Sequence, residues 1–129
     1  MASLVGSRVE RKEDKRFLTG KGRYTADINI TNQTYAVFVR SPHARAKIKK
    51  VDCSKAMKAP GVIEVFTGDS IAKDKIGGLI AGWKIVSEDG TDMKVPAHPP
   101  LASDAVNYVG DHVAVVIAES LDEAKAAAN

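Results

Sequence analysis

Val9-Glu10-Arg11-Lys12-Glu13-Asp14-Lys15-Arg16-Phe17-Leu18-Thr19-Gly20-Lys21-Gly22-Arg23-Tyr24-Thr25-Ala26-Asp27-Ile28 is the stretch from which this chain is best read. It is rich in charge, poor in aliphatic residues, and ends in a Gly-x-Gly-x-Tyr turn. Its mixed charges follow no sustained helix or strand period, and Gly20 and Gly22 interrupt them, so residues 1–23 are expected to be mostly irregular. Packing alone rarely produces this order of charges, Phe, Thr and glycines, which makes the stretch a fingerprint.

Beyond the stretch, short elements follow. Tyr35-Ala36-Val37-Phe38-Val39 is aromatic and β-branched and reads as a buried strand, interrupted by Ser41-Pro42. Ala44, Ala46 and Ile48 alternate with Arg45, Lys47 and Lys49, which predicts a half-buried strand. Asp52 is placed to cap a short helix through Ala56 and Met57, which must stop before Pro60. Val62 to Phe66 predicts another strand, and Ser70, Ile71 and Ala72 a short helical turn. Gly77, Gly78, Gly82, Gly90, Pro96, Pro99 and Pro100 break every pattern in residues 73–103, so a long excursion with at most a short strand or hairpin is expected there. Val113 to Ala118 is apolar throughout and reads as a central strand. Ser120-Leu121-Asp122-Glu123 has the form of a capping box and opens a helix. The order implies an α+β layer structure with a mixed sheet, two short helices and a long irregular excursion.

The chain has 129 residues, room for one domain with a modest core, and 44% hydrophobic and 27% charged residues are ordinary for a soluble globular protein. No apolar run is long enough to span a bilayer. Met1-Ala2-Ser3-Leu4-Val5-Gly6 lacks the charged start and apolar stretch of a secretory signal, and the single Cys53 has no partner for an internal disulfide. Both agree with a cytoplasmic location. The net charge of +3 is a mild excess that serves solubility.

Candidate sites are few. Gly20-Lys21-Gly22-Arg23-Tyr24-Thr25 has no third glycine and follows no predicted strand, so it reads as a structural turn and not as a dinucleotide loop. His43, His98 and His112 lie far apart, none at the i, i+4 spacing of a helical metal pair. Glu10, Glu13, Asp14 and Asp27 sit in the charged stretch, where pairing with Arg11, Lys12, Lys15 and Arg16 is the simpler role. Arg40, Arg45, Lys47, Lys49, Lys50, Lys55 and Lys58 form a dense basic run, either an anion or nucleic-acid surface or a solvated face, and no aromatic residues interleave with it to stack bases. Ala56-Met57-Lys58-Ala59 resembles the Ala-Met-Lys-Met acceptor of biotinyl carrier domains, but Ala59 replaces the second Met and Pro60 follows. No catalytic, cofactor-binding or metal-ligating residue emerges.

Four blocks together carry a resemblance. Val9, Arg11, Glu13, Asp14, Arg16, Phe17, Leu18, Thr19, Gly20, Gly22, Tyr24, Asp27 and Ile28 match the entrance to the large subunit of the molybdenum hydroxylases, the xanthine dehydrogenase, aldehyde oxidase and carbon monoxide dehydrogenase family. Arg40-Ser41-Pro42-His43-Ala44-Arg45-Ala46-Lys47-Ile48, then Pro60-Gly61-Val62-Ile63-Glu64-Val65-Phe66-Thr67-Gly68-Asp69, then Pro99-Pro100-Leu101-Ala102 with Val106 to Val116, resemble its later blocks in the same order. Arg45 stands where that family usually has a second His, and His112 where Pro is common. The resemblance is to the carbon monoxide dehydrogenase type and covers nearly the whole chain.

The resemblance implies an α/β-hammerhead fold over residues 1–129 as a single domain, and membership of a molybdopterin-dependent oxidoreductase large subunit. It implies a molybdenum-pterin cofactor in the intact subunit, held with the catalytic residues in downstream domains, and iron–sulfur and FAD groups in partner subunits. The chain itself is then scaffold that packs on the molybdenum-binding domains. Its ending in the first turns of a capped helix fits a fragment of a larger subunit, which would expose apolar surface when isolated. Two other classes stand beside this reading: a small basic nucleic-acid-binding module and a carrier modified at Lys58.

Overall fold

A computed structural model describes residues 5–83 and 85–129; Met1–Leu4, part of the segment read above for a secretory signal and irregular structure, lie outside the described residues. The chain divides into an N-terminal unit ending at Gln33 and a second unit, Thr34–Asn129.

The N-terminal unit is less irregular than its charges suggested. A five-residue helix, α1 (Asp14–Leu18), interrupts it. Arg11 reaches Glu13 and Asp14, both at 3.6 Å, over its first turn. These exposed pairs carry out the ion pairing expected of Glu13 and Asp14 and are each worth little, whereas Asp27 accepts from the Tyr24 backbone. Phe17 stacks on Tyr24 at 5.6 Å between ring centroids, with the Arg16 guanidinium 4.9 Å over Phe17. The chain returns through Gly20, whose φ of 69° supplies the left-handed turn. A 3₁₀ turn, Thr25–Asp27, follows, closed where Tyr24 N–H donates to the Asp27 carboxylate at 2.8 Å.

The second unit is built on a three-stranded sheet. Its strands are β1 (Tyr35–Arg40), β3 (Val62–Thr67) and β5 (His112–Ala118), in the order β1-β5-β3. A separate two-stranded ladder pairs β2 (Ala46–Lys47) with β4 (Ala105–Val106). β5 is central, as its continuous apolar run predicts, and Ala114, Val116 and Ala118 on one of its faces are buried. β1 lies at an edge, so it is half buried and alternating, not fully buried as its composition suggested.

The sheets are antiparallel and not mixed as expected. β1 and β3 run the same way, but β5 lies between them, so all ladder pairings in the described residues are antiparallel. Parallel neighbours need a long crossover, usually a helix, packed on the sheet. The helix after β3 is α2 (Gly68–Lys73), only six residues, and the chain then leaves on the excursion.

The other expectations resolve at shorter range. The alternating run Ala44 to Lys49 forms ladder pairs only at Ala46–Lys47, extended by Ile48 N–H to Asp104 O at 2.9 Å. Asp52 accepts from Ser54 N–H at 3.1 Å and closes a tight turn; the predicted helix is a 3₁₀ turn at Ala56–Lys58. Thr67 caps α2, with its backbone N–H donating to Ser70 Oγ at 2.8 Å. The last helix, α3 (Leu121–Ala128), starts at Ser120, whose Oγ accepts from Glu123 N–H at 3.3 Å and donates to the Glu123 carboxylate at 2.7 Å. α3 packs on β1 and β5 and buries Ala124.

Candidate functional site

Two sequence blocks that lie some seventy residues apart meet at one end of the sheet. Ser41 N–H donates to Asp111 O at 2.9 Å, Gly110 N–H donates to Ser41 O at 2.8 Å, and an Arg40 guanidinium N–H reaches Gly110 O at 3.2 Å. Ser41 is buried, and its hydroxyl accepts from His43 N–H at 3.0 Å. Asp111 is also buried, and its Oδ2 accepts from Asn107 N–H at 2.9 Å. Both buried polar side chains therefore have partners from the backbone, as burial requires. The Asn-x-x-Gly-Asp run is a turn signal, but nothing in the sequence says that it closes on Ser41.

A bulge sets the site's one unpaired group. Val39 pairs with Ala114 but Arg40 pairs with His112, so Val113 is extra and the strand rotates there. The rotation lays the His112 ring on Phe38, 4.7 Å between centroids. His112 Nε2 is buried, and among the described residues no group bonds it. The His112 carbonyl is occupied, accepting from Ala102 N–H at 2.7 Å.

Beside this junction lies a cleft of about 250 Å³ bounded by His98, Ser103, Asp104, Asn107, Tyr108 and Asp111. Asp111 Oδ2 is committed to the Asn107 backbone, and the other polar side chains on the wall are those of His98, Ser103, Asp104, Asn107 and Tyr108. Gly68 of α2 lies against the backbone of Ala102 and Ser103, two of the residues that line the cleft. A Cβ there would lie 2.5 Å from Ala102 O, so only glycine lets the start of α2 approach residues 102–103 this closely.

The three histidines do different things. His43 is exposed and engages Ser41 through its backbone. The His98 carbonyl accepts from Leu79 N–H at 2.8 Å, while His112 stacks on Phe38. Among the described residues, no three His, Cys, Asp or Glu side chains are placed to share a metal ion. With Cys53 as its single cysteine, the chain cannot supply the thiolates of an iron–sulfur cluster. Burial, then the neighbouring Asp52 carboxylate, pushes the Cys53 thiol up and so keeps it protonated and a poor ligand. Asp52 is held down at about 2, chiefly by the Ser54 hydroxyl, then by Ser54 N–H and Lys50.

The basic residues Arg40, Arg45, Lys47, Lys49, Lys50, Lys55 and Lys58 are all exposed. Lys58 ends the 3₁₀ turn at Ala56–Lys58 and does not sit at a hairpin tip, where a carrier lysine would be presented.

The sequence model for the aldehyde oxidase and xanthine dehydrogenase a/b hammerhead domain matches residues 19–129. The chain belongs to this family. It is 42% identical over 118 residues to the nicotine 6-hydroxylase large subunit of Paenarthrobacter nicotinovorans, covering 92% of this chain and 14% of that protein. Among solved structures it is similar to quinoline 2-oxidoreductase from Pseudomonas putida 86, with a TM-score of 0.77, 36% identity, and coverage of 95% of this chain and 15% of that one. It is also similar to CO dehydrogenase from Oligotropha carboxidovorans, with a TM-score of 0.69, 32% identity, and coverage of 95% and 14%. The hammerhead domain thus spans about one-seventh of the proteins it matches. Among the described residues of this family member, no helix is long and apolar enough to cross a membrane.

Proposed function

We propose that this chain is the hammerhead domain at the N-terminal end of the large subunit of a molybdenum-dependent hydroxylase, and that it contributes structure and not chemistry. The observation that carries the reading is the match over residues 19–129 to one domain type, in relatives about seven times longer that are named as hydroxylases, dehydrogenases and oxidoreductases. One similar solved structure is described as a Cu,Mo-CO dehydrogenase. In this reading residues 1–129 act as one domain, the cofactor and the catalytic residues lie in later domains of the same subunit, and iron–sulfur and flavin subunits accept the electrons. The location is the cytoplasm. The buried Ser41–Asp111 junction then fixes the shape of a scaffold.

The test is the intact mass of the native gene product, purified from its own source through an epitope in this region, with molybdenum assayed in the same sample. The expected result is a polypeptide several times larger that copurifies with molybdenum. A metal-free product of 13.8 kDa would sink the proposal.

A further inference from the structure

Asp111 does not spend its whole carboxylate inside the fold. The residue is only 8% exposed, and its Oδ2 accepts from Asn107 N–H at 2.9 Å. Oδ1 has no hydrogen-bond partner among the described residues, yet it is not sealed from solvent as His112 Nε2 is. Asp111 lines the cleft of about 250 Å³, and that cleft is where the remaining contact lies. Buried carboxylates are ordinarily paired with a cation. Among the described residues the salt bridges join Arg11 to Glu13 and Asp14, and Lys50 to Asp52; none reaches Asp111. Arg40, beside the junction, gives its N–H to Gly110 O instead.

The rest of the wall has the same character. Asp104 adds a second carboxylate, and Ser103, Asn107, Tyr108 and His98 add hydroxyl, amide and imidazole groups. Among the described residues, no lysine or arginine lines the cleft. Two carboxylates therefore border one open volume, which repels anions and attracts cations. The acceptors do not converge on a point. Among the described residues, no three His, Cys, Asp or Glu side chains are placed to share a metal ion. Acceptors set apart around a space suit a planar cation, whose N–H donors fan out in fixed directions, better than a point charge. Tyr108 brings an aromatic ring to the same wall, on which such a cation can stack.

We infer that this cleft is a binding site for a small organic cation of the amidinium or guanidinium type, held by Asp111 Oδ1 and the Asp104 carboxylate. Every group that it uses belongs to this chain. The carboxylates take the N–H donors through charge-assisted bonds, and the neutral side chains shape the space around them. A neutral amide of the same outline turns an oxygen lone pair toward one of these acceptors, where the cation presents a donor. Discrimination between the two is therefore the signature of the site.

The probe is benzamidine, with benzamide as its neutral isostere, titrated calorimetrically into the native gene product in an amine-free buffer near neutral pH. Asp104→Asn and Asp111→Asn, introduced into the same full-length protein, are titrated alongside. Saturable binding of benzamidine is expected, with benzamide weaker by about tenfold or more and each substitution weakening benzamidine about tenfold. Asp111→Asn also touches the turn that Asn107 N–H closes. Asp104 is exposed, so Asp104→Asn decides the matter if the other variant does not fold. Absence of saturable binding, benzamide binding as tightly as benzamidine, or undiminished binding in Asp104→Asn would overturn the inference. A cleft that the intact protein already fills with a basic side chain of its own gives no binding, and that outcome overturns it too.

Discussion

Gly68 and His112 show how single atoms set this domain's tolerance to change. Gly68 faces backbone, not a flexible side chain, so Gly68→Ala forces α2 away from Ala102. The expected cost is about 1–3 kcal/mol, read from urea unfolding of the purified chain. His112 carries the opposite sign. Its buried Nε2 lacks a partner among the described residues, a loss of roughly 1–3 kcal/mol relative to a bonded group. His112→Phe keeps the ring on Phe38, removes the orphan nitrogen and is expected to raise the unfolding midpoint. At Asp52 the effect is one of pH. Ser54 and Lys50 favour the ionised form, so its carboxyl titrates near 2 instead of 3.8. A carboxylate lowered on folding stabilises fully above its unfolded value, and the contribution is lost as pH falls through the folded value. Asp52 should therefore hold its turn down to about pH 2, checked by following its carboxyl carbon by NMR.

At the scale of elements, capping and register decide what composition leaves open. α3 has eight residues, too short to be stable by itself, and depends on Ser120 and on packing against β1 and β5. Ser120→Ala removes both the acceptor for Glu123 N–H and the hydroxyl that holds the Glu123 carboxylate. It is expected to destabilise the chain by about 1 kcal/mol, seen as a lower melting temperature. The Val113 bulge is a second such device: one inserted residue turns His112 onto the Phe38 face. Sequence periodicity shows the β5 run but not the bulge, because a one-residue slip leaves the apolar composition unchanged. β4 was invisible for a related reason, since two residues, Ala105 and Val106, carry no period and become a strand only opposite Ala46 and Lys47.

For the whole molecule, the balance lies between a small core and a large exposed apolar surface. Val116, Leu101 and Val106 are among the few larger apolar side chains that are buried, while Trp83 and Ile80 are not. The isolated chain should accordingly bind a dye that fluoresces on apolar surface and scatter more light as concentration rises. Replacing Ile80 and Trp83 together by Ser is expected to reduce both signals. A compact, dye-negative monomer would count against an uncovered surface.

What the sequence determined by itself was the family and the main strands. The order of the four blocks from Val9 to Val116 identified the hammerhead, and the runs at Tyr35, Val62 and Val113 marked the three sheet strands, because strand period and turn chemistry are local. Tertiary structure alone decided that β1 is an edge, that Ser41 closes on Asp111, and that Ile80, Trp83, Ile85 and Val86 stay exposed. Each of these depends on which distant backbone fills a hydrogen bond or covers a face, and no local propensity encodes the identity of that partner.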